Sequence, residues 1–214
     1  MRDEFQGQLQ ELGELLTAMA DKAARQMRLA TTALLDHDLH IAEAVLADDA
    51  ELDADRDRCA HDAQRVLALQ APVASDLREV IAVVHCAERI ERMGDLARHV
   101  AEVARRTFPQ PAVPAVLTEE FAELGELDAA MAERLSELIR TREHTEFDQL
   151  VRVDEKVDAL HRTLMTEVTS PDWSHGVPAA VNVALLARFY ERFADQVVSV
   201  AKRIDFALTG VPSN

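Results

Sequence analysis

The chain has 214 residues, 48% of them apolar but only 4% aromatic, and 39 acidic against 23 basic side chains give it a net charge of −16. That imbalance repels phosphate backbones and anionic headgroups, which excludes nucleic acid as a direct partner. No apolar run approaches the roughly 18–20 residues that cross a bilayer, and the acidic, amphipathic start Met1-Arg2-Asp3-Glu4-Phe5 is not a signal peptide, so a soluble cytoplasmic protein is expected.

Abundant Ala, Leu, Glu and Arg with few β-branched runs favour an all-α fold. A first helix is predicted over 3–35 and stops at the capping residues Asp36-His37-Asp38. The second carries the near-heptad stripe Leu39, Ala42, Val45, Leu52, Cys59, Ala63 and Val66 and runs to Pro72. The third spans 73–107 and, like the first, is about 50 Å long at 1.5 Å per residue. Phe108-Pro109-Gln110-Pro111-Ala112-Val113-Pro114 is the strongest punctuation in the chain and separates two expected domains, 1–108 and 115–214. A fourth helix ends near Thr141 to Thr145. The fifth presents Leu150, Val153, Val157, Leu160, Leu164 and Val168 on one side, and the segment Ser170 to Pro178 separates it from the sixth. Short connections make successive helices antiparallel: six long antiparallel helices in two tandem, pseudo-symmetric three-helix bundles. Cys59 and Cys86 are too few for a disulfide framework or zinc knuckle and read as buried thiols.

The halves repeat each other. Glu91-Arg92-Met93-Gly94-Asp95 returns 100 residues later as Glu191-Arg192-Phe193-Ala194-Asp195, and the Asp49/Asp53 pair returns 105 residues later as Asp154/Asp158. Residues four apart share a helix face, and like charges there oppose helix formation by roughly 0.2–0.5 kcal/mol. With about 100° of turn per residue, Cys86, Ile90, Met93, Ala97, Val100 and Ala104 lie opposite Glu91 and Asp95. Leu186, Phe189, Phe193, Val197, Val200 and Ile204 lie opposite Glu191 and Asp195 in the same way, which turns both Glu/Asp pairs away from the core. Asp49, Asp53, Asp154 and Asp158 border the stripes of their helices and reach toward the third helix of their own half. Each repeat then gathers four carboxylates, a donor set suited to Mg²⁺, Mn²⁺, Ca²⁺ or iron, and His161 extends the choice to zinc.

A plainer reading competes. The acids are solvated surface groups, and Arg92 and Arg192 pair with them, each pair contributing well under about 1 kcal/mol if exposed. His85 and His99, on the helix of Glu91, read as surface histidines, with His99 an extra ligand in the alternative. The aromatics of the sixth helix read as core, and Trp173 lies in a connection. There is no Gly-rich phosphate loop, no G-x-S-x-G and no H-E-x-x-H, so neither nucleotide binding nor nucleophilic hydrolysis is expected, and no basic pocket suggests that the chain itself grips phosphate.

Ala74-Ser75-Asp76-Leu77-Arg78, the two Glu-Arg-x-x-Asp motifs and the closing Leu208-Thr209-Gly210 together resemble the PhoU family of phosphate-signalling proteins over nearly the whole chain. The resemblance implies two symmetric three-helix bundles, frequently a dimer, and metal held by acidic motifs at Asp49, Asp53, Glu91, Asp95, Asp154, Asp158, Glu191 and Asp195, the metal being Fe, Zn, Mn or Mg. It implies a regulatory rather than catalytic role: coupling the ATP-binding subunit of the phosphate ABC transporter to a phosphate-sensing histidine kinase, and negatively regulating phosphate uptake and phosphate-starvation genes. Any membrane association would pass through those partners. Ala194 stands where the family's second motif has glycine, Ser199 where asparagine is common and His85 where lysine is common.

Two other classes remain in view. A carboxylate-bridged metalloenzyme would use paired Glu-x-x-His motifs inside a bundle, and here Asp158-x-x-His161 occurs once. A metal-free helical adaptor would use the acids only for solubility.

Overall fold

The computed structural model describes residues 2–142 and 144–211, and its secondary structure is six α-helices and one short 3₁₀ turn. The helices are α1 (Arg2–Asp36), α2 (Leu39–Gln70), α3 (Ala74–Thr107), α4 (Thr118–Thr141), α5 (His144–Val168) and α6 (Gly176–Thr209), with the 3₁₀ turn at Ala115–Leu117. Their ends follow local chemistry. Asp38 caps α2, its Oδ1 accepting from the backbone N–H groups of His40 at 2.9 Å and Ile41 at 3.0 Å. Asp76 in the first turn of α3 and Arg105 and Arg106 in its last complement the helix dipole. Gly210 ends α6 with φ +71°, a left-handed conformation that glycine adopts without strain.

Each half is a three-helix bundle: α1 packs on α2 and α3, and α4 on α5 and α6. The halves meet through α1 against α4 and α3 against α6. Arg89 Nη1 donates to Gln196 Oε1 at 3.0 Å and Arg106 Nη2 to Asn182 Oδ1 at 3.2 Å, so α3 and α6 run antiparallel. Met19, Met27, Leu34, Leu52, Ile90, Met93, Phe121, Leu124, Tyr190 and Phe193 fill one continuous core. The predicted stripes of the second, third, fifth and sixth helices face it, with Leu39, Val153, Leu160, Val168, Phe189 and Ile204 only partly covered. Both cysteines are buried and free, and burial pushes each thiol up to about 12. No helix among the described residues is long and apolar enough to cross a membrane.

Register between the halves extends to burial. Every buried position from Leu16 to Leu34 of α1 has a buried counterpart 105 residues later, from Phe121 to Ile139 of α4. In that register Ala23 corresponds to Asp128 and Thr31 to Ser136.

Candidate functional site

The acids of the first half line the seam between α2 and α3. Asp49, Asp53, Glu91 and Asp95 are half-buried there, not turned to open solvent as helix geometry alone suggested, because two packed helices partly cover what a lone helix would expose. Two arginines cross the seam in opposite directions. Arg98 of α3 brings Nε to 3.2 Å from Asp49 Oδ2 and Nη2 to 3.3 Å from Asp95 Oδ1, and pairs with Glu102. Its Nε lies close enough to Asp49 to act as a countercharge but is not aligned as a hydrogen-bond donor. Arg56 of α2 reaches Asp53 at 3.4 Å and Glu91 at 3.8 Å. Burial and neighbouring carboxylates push Asp49 and Glu91 above the usual carboxylate range, while Arg98 and Arg56 respectively pull them back.

Asp154, Asp158, Glu191 and Asp195 occupy the equivalent seam between α5 and α6, the first three half-buried and Asp195 exposed. Here the arginine contacts stay within one helix: Arg188 pairs with Glu191, and Arg162 Nη1 stands 3.9 Å from Asp158 Oδ2. In repeat register Arg98 is replaced by Val198 and Arg56 by His161. Asp154 is pushed up to about 6, first by burial and then by Asp158, Asp195 and Glu191, with Lys202 opposing. Glu191 is raised by burial and Asp195, against Arg188 and His161.

A fifth carboxyl belongs with this second set. Asp128 of α4 is 0% exposed, and neither of its oxygens has a hydrogen-bond partner. Burial holds its carboxyl well above the usual range, and the neighbouring charges of Asp154 and Glu191 push the same way. Tyr190, beside it in the core, bonds instead to Thr31, Oη to Oγ1 at 2.9 Å.

Among the described residues, no three Asp, Glu, His or Cys side chains converge as placed to hold an ion. The carboxylates are gathered but must turn toward a common point to bind one. The donors fit a hard cation in the second set, where the buried Asp128 oxygens have no partner and no arginine bridges the seam, Lys202 opposing Asp154 only from a distance; in the first set guanidinium groups already bridge it.

The PhoU domain family model matches residues 16–104 and again 121–204. The chain belongs to the PhoU family. It is 42% identical over 210 residues to the phosphate-specific transport system accessory protein PhoU homolog 2 of Mycobacterium tuberculosis, covering 98% of this chain and 99% of that protein. Homolog 1 of Mycobacterium leprae is also 42% identical, over 98% of this chain and 95% of its own. In fold, the crystal structure of the phosphate transport system regulatory protein PhoU from Streptococcus pneumoniae matches with a TM-score of 0.88 at 22% identity, covering 98% of this chain and 99% of that one. PhoU from Pseudomonas aeruginosa matches equally well, with a TM-score of 0.88 at 23% identity over 97% of this chain and 100% of that one.

Two of the stretches that carried the PhoU resemblance, 74–78 and 208–210, meet in space. The guanidinium of Arg78 lies against Gly210, where a Cβ would stand 3.2 Å from Nη2. Gly94 of the first motif is buried against α2, and a Cβ there would fall inside contact distance of Leu52 Cδ2 and 3.0 Å from Gln26 Oε1. The motif arginines Arg92 and Arg192 are exposed; the clamps are Arg98 and Arg56. His85 is exposed, and His99 stacks on Phe189 with ring centroids 5.2 Å apart. Trp173 packs on the core and donates its indole N–H to the Gly176 carbonyl at 2.9 Å. Sequence reasoning missed Arg98 and Asp128. Arg98 sits three residues past Asp95, within reach on the same face, and Asp128 interrupts the apolar series Phe121, Leu124, Met131, Leu135.

Proposed function

We propose that this PhoU-family protein is a cytoplasmic regulator, without catalytic turnover, that couples the ATP-binding subunit of a phosphate ABC transporter to a phosphate-sensing histidine kinase. It restrains phosphate uptake and phosphate-starvation genes, acts as a homodimer, and touches the membrane only through these partners. The observation that carries this reading is the full-length likeness, in both halves, to relatives named as phosphate-transport accessory proteins. Regulation by a helical body of this kind is a difference in affinity for two states of a partner, and about 1.4 kcal/mol of difference is a tenfold bias.

The carboxylate sets tune that bias by holding metal. Asp154, Asp158, Glu191 and Asp195 hold an Fe, Zn, Mn or Mg ion in the second half, with Asp49, Asp53, Glu91 and Asp95 as the equivalent set in the first. A bound cation supplies positive charge that ties the two seam helices together; the residues supply oxygen donors and set their spacing through helix packing. Affinity capture from phosphate-replete and phosphate-starved cells, with and without chelator, tests the assignment. Recovery of the transporter subunit and the kinase, in amounts that change with phosphate status and chelator, is expected; recovery of neither in any condition overturns it. Equilibrium dialysis with Fe, Mn, Zn and Mg against a variant carrying alanine at all eight acids tests the metal separately.

One observation favours a metal-free role for the first half alone: Arg56 and Arg98 already bridge its seam. Asp49→Asn with Glu91→Gln then leaves metal uptake of the whole protein nearly unchanged, whereas Asp154→Asn with Glu191→Gln lowers it.

A further inference from the structure

Ala23 and Asp128 occupy one position in two copies of the same helix, and each is 0% exposed. A methyl group is all that packing needs there, since the first bundle closes around Ala23. The carboxyl of Asp128 is therefore an addition that the fold does not require. Buried polar groups in native structures almost always have partners, yet both Asp128 oxygens have none. The charged groups that act on it are Asp154 of α5 and Glu191 of α6, both acidic. Around this inner carboxyl the second half has also lost the cross-seam arginines of the first, with Val198 and His161 in their places. One change adds a carboxyl to the core side of the seam and two remove bridging arginines; Lys202, standing where the first half has Glu102, opposes Asp154, and His161 opposes Glu191, but neither acts on Asp128, whose oxygens stay without a partner.

We infer that Asp128 is the inner ligand of an asymmetric cation site, built from Asp128, Asp154 and Glu191 on three different helices, which takes a hard divalent ion such as Mn²⁺ or Mg²⁺. This rests on the reading above that the second acidic set holds metal, and adds to it a ligand from outside the repeated motifs. Three carboxylates supply the oxygen donors that such ions prefer, with water free to complete the shell. An ion held by Asp128 joins α4 to α5 and α6, so the entire second bundle responds to occupancy. The first half lacks the equivalent ligand because Ala23 stands in its place.

Mn²⁺ titration of the chelator-stripped full chain tests this, with bound ion read from loss of the free Mn²⁺ EPR signal and stability from thermal unfolding. Asp128→Ala installs the residue of the equivalent first-half position, and Asp128→Asn keeps the shape without the charge. Both variants should weaken the tightest Mn²⁺ site tenfold or more. Both should raise the metal-free melting temperature, because an unpartnered buried acid is gone, so the rise that Mn²⁺ produces shrinks. Asp49→Asn should leave that site unmoved. Unchanged Mn²⁺ affinity in Asp128→Asn overturns the role of Asp128 while the metal reading stands; no Mn²⁺ uptake by the unaltered protein overturns both. Weaker binding accompanied by a lower metal-free melting temperature in both variants marks Asp128 as structural and also overturns the inference.

Discussion

The two acidic seams use the same four carboxylates at the same repeat positions and differ in what opposes them. Between α2 and α3, Arg98 and Arg56 each reach acids on the neighbouring helix. Between α5 and α6, Arg188 and Arg162 stay on their own helices, only Lys202 opposes Asp154 from the facing helix, and Asp128 adds a buried carboxyl from beneath. A duplicated motif thus marks a place in the fold, while residues outside the motif decide how that place behaves electrostatically. Asp154 is pushed up to about 6 while its counterpart Asp49 is held back by Arg98.

The largest effects should come from the packing beneath the seams. In repeat register, Leu52 with Gly94 becomes Val157 with Ala194, and all four are buried: a methyl group gained on the third helix of the bundle accompanies a methylene lost on the second. Leu52→Ala should cost about 2–5 kcal/mol. Gly94→Ala alone should crowd Leu52 and cost about 1–3 kcal/mol, against about 1 kcal/mol returned by helix propensity. Adding Leu52→Val to Gly94→Ala should recover much of the loss. Urea unfolding of the four proteins in a double-mutant cycle measures the coupling; additive effects would show that the two positions do not compensate.

That exchange could be read from the sequence once the repeat was aligned, as could much else. Asp38, the proline cluster and Gly210 mark boundaries because each disfavours helix for a local reason, and the stripes specify which face turns inward. The paired carboxylates could be placed on adjacent helices because a period of 3.6 residues and a short loop leave little freedom. What single-helix geometry does not contain is the depth of the seam, since half-burial of Glu91 depends on α2 as much as on α3. Arg98 lies outside the repeated motif, whose own arginine, Arg92, is exposed, so the motif does not point to it. Asp128 looked like one acid among 39 until packing placed it beside Tyr190.

Next in size is the arginine clamp. Arg98→Ala removes countercharge from Asp49, Asp95 and Glu102 at once, and three partly screened pairs amount to about 1–2 kcal/mol. The expected outcome is that loss in urea at pH 7, shrinking at high salt, with a gain in Mn²⁺ affinity at the first seam, which then resembles the second. A loss of stability without that gain would mean that guanidinium and cation do not compete for the same acids.

A smaller effect distinguishes the seams by pH. Asp154 is raised to about 6 in the folded chain from an ordinary 3.8, so below the ordinary value it is protonated in both states and makes no difference. As pH climbs toward 6 the unfolded chain releases this proton while the folded chain keeps it, and stability falls across that window before levelling off. Solvent reaches Asp154 and screens the effect. In chelator, Asp154→Asn should flatten the decline, whereas Asp49→Asn, with Arg98 opposing the shift, should alter it less. Chemical unfolding at intervals from pH 4 to 7 reads the slope, and equal flattening by both variants would erase the electrostatic distinction between the halves.

The smallest stability change should be that of Arg188→Ala. Its pair with Glu191 lies within one turn of α6 and the guanidinium is largely exposed, a geometry that contributes about 0.5 kcal/mol or less. The same substitution nevertheless removes the arginine that, among the described residues, pairs with Glu191, leaving that carboxylate between Asp195 and Asp158 with His161 as the opposing group. Mn²⁺ should therefore bind more tightly to the variant although its melting temperature without metal hardly changes. Arg98→Ala lowers stability and raises affinity together, because its guanidinium joins two helices; Arg188→Ala separates the two readouts, because its guanidinium joins only residues of one. If Arg188→Ala destabilises as much as Arg98→Ala, crossing the seam is not what makes the first clamp matter.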